Sequence, residues 1–98
     1  MAYKIIYLPA AEQDIDDIAV YLSQFYESTF KKFIILLEKN ISHLQSSPYI
    51  GTAYKDYRKL IVSDYLVFYK VINKQKTVKI YRILHGARDS EVNKFDRD

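Results

Sequence analysis

The sequence has no cysteine and no tryptophan, and only two glycines and two prolines. Without thiols there can be no disulfide and no thiolate metal site, and His43 and His85 alone do not make up a structural zinc ligand set. A chain without thiols suits a reducing compartment, so a cytoplasmic protein is expected. So few glycines and prolines, with no low-complexity run and no internal repeat, leave no linker, and residues 1–98 read as a single domain. No stretch approaches the roughly 18 apolar residues of a membrane span, and the opening residues lack a basic region before a long apolar run. Neither a membrane protein nor an exported one is expected. A phosphate-cradling glycine loop, a nucleophile elbow, a His-Glu-x-x-His pair and a calcium loop are all missing, so metal and nucleotide enzymes are disfavoured and no cofactor is expected.

What is present is globular. With 49% hydrophobic and 28% charged residues the chain can bury a core, and 98 residues suffice for one. The net charge of +3 is unevenly spread: residues 1–50 carry −2 and residues 51–98 carry +5. Arg58, Arg82, Arg88 and Arg97, all the arginines, lie in the second half. Arginine suits bidentate contact with carboxylate or phosphate, so that half reads either as a surface for an acidic or phosphate-bearing partner or, as charge alone favours, as a solvated basic surface.

The periodicity predicts an α+β chain in the order β-α-α-β-β-β. Residues 3–7 are β-branched and aromatic, and Pro9 closes them. Ile15, Ile18, Ala19 and Leu22 then recur at helical spacing. Glu12, Asp14, Asp16 and Asp17 crowd the early turns of this helix, where its dipole favours acids; this role outweighs an acid-base reading of the paired carboxylates. Ser28 or Thr29 is the expected cap of a second helix with the stripe Phe30, Phe33, Ile34, Leu37, Ile41 and Leu44. The short link between the two makes a helix hairpin. After a loop over residues 48–56, strands are expected at 57–62, 65–72 and 77–84, joined by Ser63-Asp64 and by residues 73–76. They should form a small, mainly antiparallel sheet with the hairpin packed on one face and a short charged C-terminal tail. Strand 65–72 is apolar at both parities, with Leu66, Phe68 and Ile72 on one side and Tyr65, Val67, Tyr69 and Val71 on the other. The helices are expected on one face, and the tyrosine-bearing face is left for loops, the tail or another protein.

Ten tyrosines in 98 residues are unusual. Tyr54, Tyr57, Tyr65, Tyr69 and Tyr81 interleave with Lys55, Arg58, Lys59, Lys70, Lys79 and Arg82, a mixture that serves RNA or a protein interface alike, while half-buried sheet tyrosines account for any one of them. The most distinctive segment is Tyr81-Arg82-Ile83-Leu84-His85-Gly86-Ala87-Arg88-Asp89. Here a hydrophobic strand delivers His, Gly, Arg and Asp in five positions, either as a site or as local ion pairs that hold the tail.

These segments together resemble the RelE/ParE superfamily of toxins from type II toxin-antitoxin systems. The resemblance rests on Tyr3-Lys4-Ile5-Ile6-Tyr7 with Ala11-Glu12-x-Asp14-Ile15-x-x-Ile18-x-x-Tyr21-Leu22, on Pro48-x-x-Gly51, on Arg58-x-Leu60-x-Val62-x-x-Tyr65-Leu66-Val67-Phe68-Tyr69-x-Val71, and on Val78-x-Ile80-x-Arg82-Ile83-Leu84-His85-Gly86-Ala87-Arg88-Asp89. It implies a small cytoplasmic toxin, a cognate antitoxin that wraps its surface, and a toxin-antitoxin hetero-oligomer. The tyrosine-lined face and the helix hairpin are then the natural docking surfaces, with Tyr65, Tyr69 and Tyr81 as the antitoxin-binding candidates.

The superfamily divides by target. RelE-like members cut mRNA on the ribosome with basic residues and a proton-moving tyrosine or histidine; ParE-like members inhibit DNA gyrase. Leu66 stands where ribonuclease members often carry Arg, Ala87 where they often carry another basic residue, and Phe95 where they supply Tyr. Lys59 is the one clear basic match. The resemblance therefore leans to a non-enzymatic gyrase inhibitor with Arg58, Lys59, Arg82, His85, Arg88 and Phe95 as target-binding candidates. The alternatives are a metal-independent, ribosome-dependent endoribonuclease using Arg58, Lys59, Arg82, His85 and Arg88, and an inactive partner-binding remnant of the family.

Overall fold

The computed structural model describes residues 2–87. Its elements are β1 (Lys4–Tyr7), α1 (Pro9–Leu22), α2 (Glu27–Ser42), β2 (Thr52–Tyr54), β3 (Tyr57–Val62), β4 (Tyr65–Ile72) and β5 (Thr77–His85), with single 3₁₀ turns at His43–Gln45 and Asn73–Gln75. The strands form one sheet in the order β1-β5-β4-β3-β2. β1 runs parallel to β5: the helix hairpin carries the chain from β1 to β2 at the far edge, and the antiparallel run β2 to β5 brings it back beside β1. The α+β class, the hairpin and the three long strands are as expected. β2 is an addition inside the expected loop: Lys55 at φ 55° lets a two-residue turn fold Thr52–Tyr54 back on Tyr57–Lys59.

The helices begin as their sequences allow. α1 starts with Pro9 in its first turn, where a missing N–H costs nothing. α2 starts one residue before the expected caps: Tyr26 occupies the N-cap with no side-chain hydrogen bond, and Ser28 and Thr29 fall inside the first turn. Both connections between long strands need a left-handed residue, supplied by Ser63 at φ 56° and Lys76 at φ 49°.

The helices lie on the tyrosine-bearing face of β4, which corrects the expectation that this face awaits another cover. Tyr65, Val67 and Tyr69 join Ile18, Phe33, Leu37, Ile41, Val78, Ile80 and Ile83 in one core. Tyr65 packs its ring on Phe33 at 4.7 Å. Tyr69 is fully buried, and its hydroxyl accepts the Gly51 N–H at 2.9 Å, so the phenol brings an apolar body into the core and a satisfied polar tip to its edge. No helix of the described residues is long and apolar enough to cross a membrane.

Candidate partner and target surfaces

One irregularity decides where the basic residues of β5 go. Opposite β4, Arg82 pairs with Phe68 while Ile80 pairs with Tyr69, leaving Tyr81 as an extra residue on β5. This bulge resets the alternation, so that Ile80 and Ile83 both reach the core although three residues apart. β1 pairs with β5 only as far as Ile80, leaving the next stretch of that strand edge open. Asp14 of α1 fills it: its Oδ2 accepts the Ile83 N–H at 2.8 Å and Arg82 Nε at 2.8 Å, and its Oδ1 accepts Arg82 Nη2 at 2.9 Å. Asp14 is therefore a buried edge cap and ion-pair partner. The expected dipole role is left to Glu12, the acid in the first turn.

Arg58 also serves the fold. Its Nε donates to the Gly51 carbonyl at 3.1 Å, and its Nη2 donates to the carbonyls of Gly51 and Tyr49 at 2.7 and 3.1 Å. Its guanidinium lies 5.2 Å from the centre of the Tyr49 ring. With Tyr69 on the Gly51 N–H, this holds the segment leading into β2. Gly51 is required there, since a Cβ would come within 2.7 Å of both the Lys59 carbonyl and the Tyr69 hydroxyl.

Lys59 projects from the face away from the helices, with its ammonium 5.1 Å from the centre of the Tyr54 ring; Tyr54 in turn packs on Phe68 at 5.3 Å. The register sets Lys59, Phe68 and Arg82 in one row across β3, β4 and β5. Lys59 and Arg82 are thus two strand spacings apart, about 9 to 10 Å. His85 pairs with Tyr65 across the ladder, packs edge-on against its ring at 5.2 Å, and accepts the Ala87 N–H on Nδ1 at 3.3 Å. Arg88 and Phe95 lie outside the described residues.

The three tyrosines expected to receive an antitoxin are divided between two faces. Tyr65 and Tyr69 are core residues and present no surface to a partner. Tyr81 stands on the opposite face beside Tyr57 and Lys70, whose ammonium lies 5.4 Å from the Tyr81 ring centre and 4.6 Å from that of Tyr57. The helix hairpin, the other docking surface that the resemblance implies, carries a groove of about 340 Å³ between β1, α1 and α2. Ile15, Ile34 and Leu37 line it with Glu12, Asp16 and Glu38, and Tyr7 closes one side. Burial, helped by the charge of Glu38, pushes the Tyr7 phenol above its ordinary pKa. Among the described residues no group of three His, Asp or Glu is placed to hold a metal ion.

No curated protein matches the chain. Among solved structures it is similar to a chain of the chromosomal ParDE system of P. aeruginosa, at 16% identity and TM-score 0.72, covering 86% of this chain and 96% of that one. It is also similar to a chain of the RelBE2 toxin-antitoxin complex of Mycobacterium tuberculosis, at 16% identity and TM-score 0.64, covering 87% and 99%. A mutant of the E. coli toxin RelE in the free state gives 22% identity and TM-score 0.63 over 96% and 93%. At such identities these structures share the fold. The family model described as the ParE toxin of the type II toxin-antitoxin system parDE matches residues 5–90, nearly the whole chain, and the chain belongs to that family, within the RelE/ParE superfamily.

Proposed function

We propose that the chain is a toxin held inactive in the cytoplasm by a cognate antitoxin, and that it acts as a ParE-like, non-enzymatic inhibitor of DNA gyrase. The observation that carries this reading is the commitment of Arg82 to Asp14. Cleavage of RNA through its 2′-hydroxyl needs a proton acceptor and cations converging on one phosphate within hydrogen-bond reach. Here Arg82 is drawn toward α1 by a bidentate carboxylate, Arg58 holds backbone carbonyls, and Lys59 stands two strands from Arg82. Leu66 occupies the β4 position at which the ribonuclease resemblance called for Arg. A protein target makes no such demand for convergence; it needs a surface. The antitoxin reading is supported by the ParDE and RelBE2 structures, which come from systems that pair a toxin with an antitoxin.

Purified protein is expected to inhibit gyrase supercoiling or trap cleaved DNA, and to leave translating mRNA intact. Cleavage of mRNA on ribosomes with gyrase unaffected would overturn the reading. The antitoxin is tested separately with the product of the adjacent short reading frame. At a hundredfold excess over its Kd it should stabilise the toxin by about 2.7 kcal/mol.

A further inference from the structure

One end of the sheet carries a notch. Where β3 begins, its last pairing with β4 is Arg58 opposite Tyr69, whereas β4 continues beside β5 as far as Ile72 opposite Thr77. Lys70, Val71 and Ile72 therefore have a strand on one side only. The chain before β3 does not fill the place, because the turn at Lys55-Asp56 carries it outward into β2. What remains is a cavity of about 270 Å³ bordered by Ala53, Arg58, Lys70, Val71 and Ile72, with Lys55 and Asp56 of the turn. Arg58 and Lys70 reach it from opposite faces of the sheet, since Arg58 shares the face of its partner Tyr69 and Lys70 is the next residue along β4.

Both of these cations are half-buried and uncompensated. Arg58 spends Nε and Nη2 on the carbonyls of Gly51 and Tyr49 and lies over the Tyr49 ring, all neutral groups, and its Nη1 donates to nothing among the described residues. Lys70 lies over the rings of Tyr57 and Tyr81. Among the described residues neither is paired with a carboxylate. Lys55 and Asp56 offset each other in charge, so the border keeps two positive charges, one of them on a guanidinium already fixed by three hydrogen bonds and ready to bind at little cost in ordering.

We propose that the notch binds a small phosphate monoester, with its phosphate at Arg58 and Lys70 and its body against Ala53, Val71 and Ile72. A phosphate monoester carries close to two negative charges at neutral pH, which matches two uncompensated cations. A carboxylate or a phosphodiester brings one. A nucleic-acid strand suits the place less well, because Arg58 caps the Tyr49 ring and the Tyr57 and Tyr81 rings meet edge to face at 5.1 Å under Lys70, leaving no open platform for stacked bases.

The test is calorimetric titration of the full chain with adenosine monophosphate, glycerol phosphate, adenosine, inorganic phosphate and an oligothymidylate without a terminal phosphate. Both monoesters should saturate a single site, the tighter of the two identifying the body the notch prefers, and the other probes should bind more weakly by about tenfold or more. Lys70→Gln should weaken the monoesters about tenfold, and Ala53→Leu, which fills the notch without changing charge, should weaken them as much. Asp56→Asn removes the one acid bordering the cavity and should tighten them. Lys31→Gln on α2 removes the same charge as K70Q and should change nothing. Melting temperatures show that each variant is folded; Arg58 is left intact because it also holds the segment before β2. Absence of saturable binding, equal or tighter binding of adenosine, inorganic phosphate or the oligonucleotide, equal losses in K31Q and K70Q, or unchanged binding by A53L would each overturn the proposal. No step of the assay involves gyrase or an antitoxin, so this proposal and the toxin reading fail separately.

Discussion

Asp14 and Arg82, 68 residues apart, form a two-pronged ion pair at the point where β1 stops and the edge of β5 would otherwise open. The Asp14 side chain is 9% exposed and that of Arg82 24%, so water screens the pair only in part. Loss of one member leaves the other charge with too few partners, and loss of Asp14 also strips the acceptor from the Ile83 N–H. Asp14→Ala is expected to cost about 2 to 4 kcal/mol in urea unfolding. The double variant with Arg82→Ala should cost less than the sum of the two single variants, because each single change strands a charge. Additive losses would show that the pair is not a unit. The same result governs how toxicity data are read, since loss of activity in an Arg82 variant has to be separated from loss of fold.

Gly51 and Tyr69 make a second joint. Gly51→Ala pushes a methyl group against a backbone carbonyl and a buried hydroxyl, and should destabilise by about 1 to 3 kcal/mol. Tyr69→Phe leaves the Gly51 N–H without its acceptor and should cost about 1 to 3 kcal/mol. Thermal unfolding of both variants checks this, and a neutral Gly51→Ala would mean the segment gives way freely.

Leu37 is fully enclosed in the core, and Leu37→Ala is expected to cost about 2 to 5 kcal/mol. A loss well under 1 kcal/mol by urea titration would mean that α2 does not seal the sheet.

Long periodic elements were legible in the sequence and positional devices were not. Ile18 and Leu37 announce the buried stripes of the helices by spacing alone, and both are core. The turn at Ser63-Asp64 was visible because two apolar runs flank it. β2 was hidden because Thr52–Tyr54 is three residues long and its strand character comes from pairing with β3. The bulge at Tyr81 has no compositional mark, and strict alternation through β5 would have sent Ile80 and Ile83 to opposite faces. Tyr65 and Tyr69 misled because a phenol reads as surface until its hydroxyl or its ring finds a partner. The basic residues of the candidate surface were found as residue types, but their division between fold and surface depended on Asp14, 68 residues from Arg82, and on the Gly51 carbonyl, a backbone acceptor that no residue type marks.

Tyr7 gives a pH signature. Burial and then Glu38 raise its pKa in the folded state above the ordinary 10.0. The folded protein therefore keeps a proton that the unfolded chain releases near pH 10. The contribution is fully present below that pH and is lost as pH rises through the folded-state value. Stability of the wild type should fall with alkaline pH in this window, and Tyr7→Phe should flatten the fall. Glu38→Gln should flatten it less, as the smaller of the two causes. Parallel curves for wild type and Tyr7→Phe above pH 10 would show that the phenol titrates alike in both states.

Lys59 offers the cleanest separation of surface from fold among the basic candidates. Arg58 is tied to the carbonyls of Tyr49 and Gly51 and Arg82 to Asp14, whereas Lys59 extends over the Tyr54 ring from the helix-free face. Lys59→Ala forfeits a cation-ring contact of about 0.5 to 1 kcal/mol, so the melting temperature should barely move. If the target is met on this face, gyrase inhibition by Lys59→Ala should weaken about tenfold, equivalent to ~1.4 kcal/mol of association. Inhibition should also weaken with salt for the wild type more than for the variant, since one screened contact is gone. Measured at matched concentrations of folded protein, undiminished inhibition by Lys59→Ala would move the target surface off the row formed by Lys59, Phe68 and Arg82. Loss of inhibition together with unfolding would instead assign Lys59 to the core of the fold, against its position beside Tyr54.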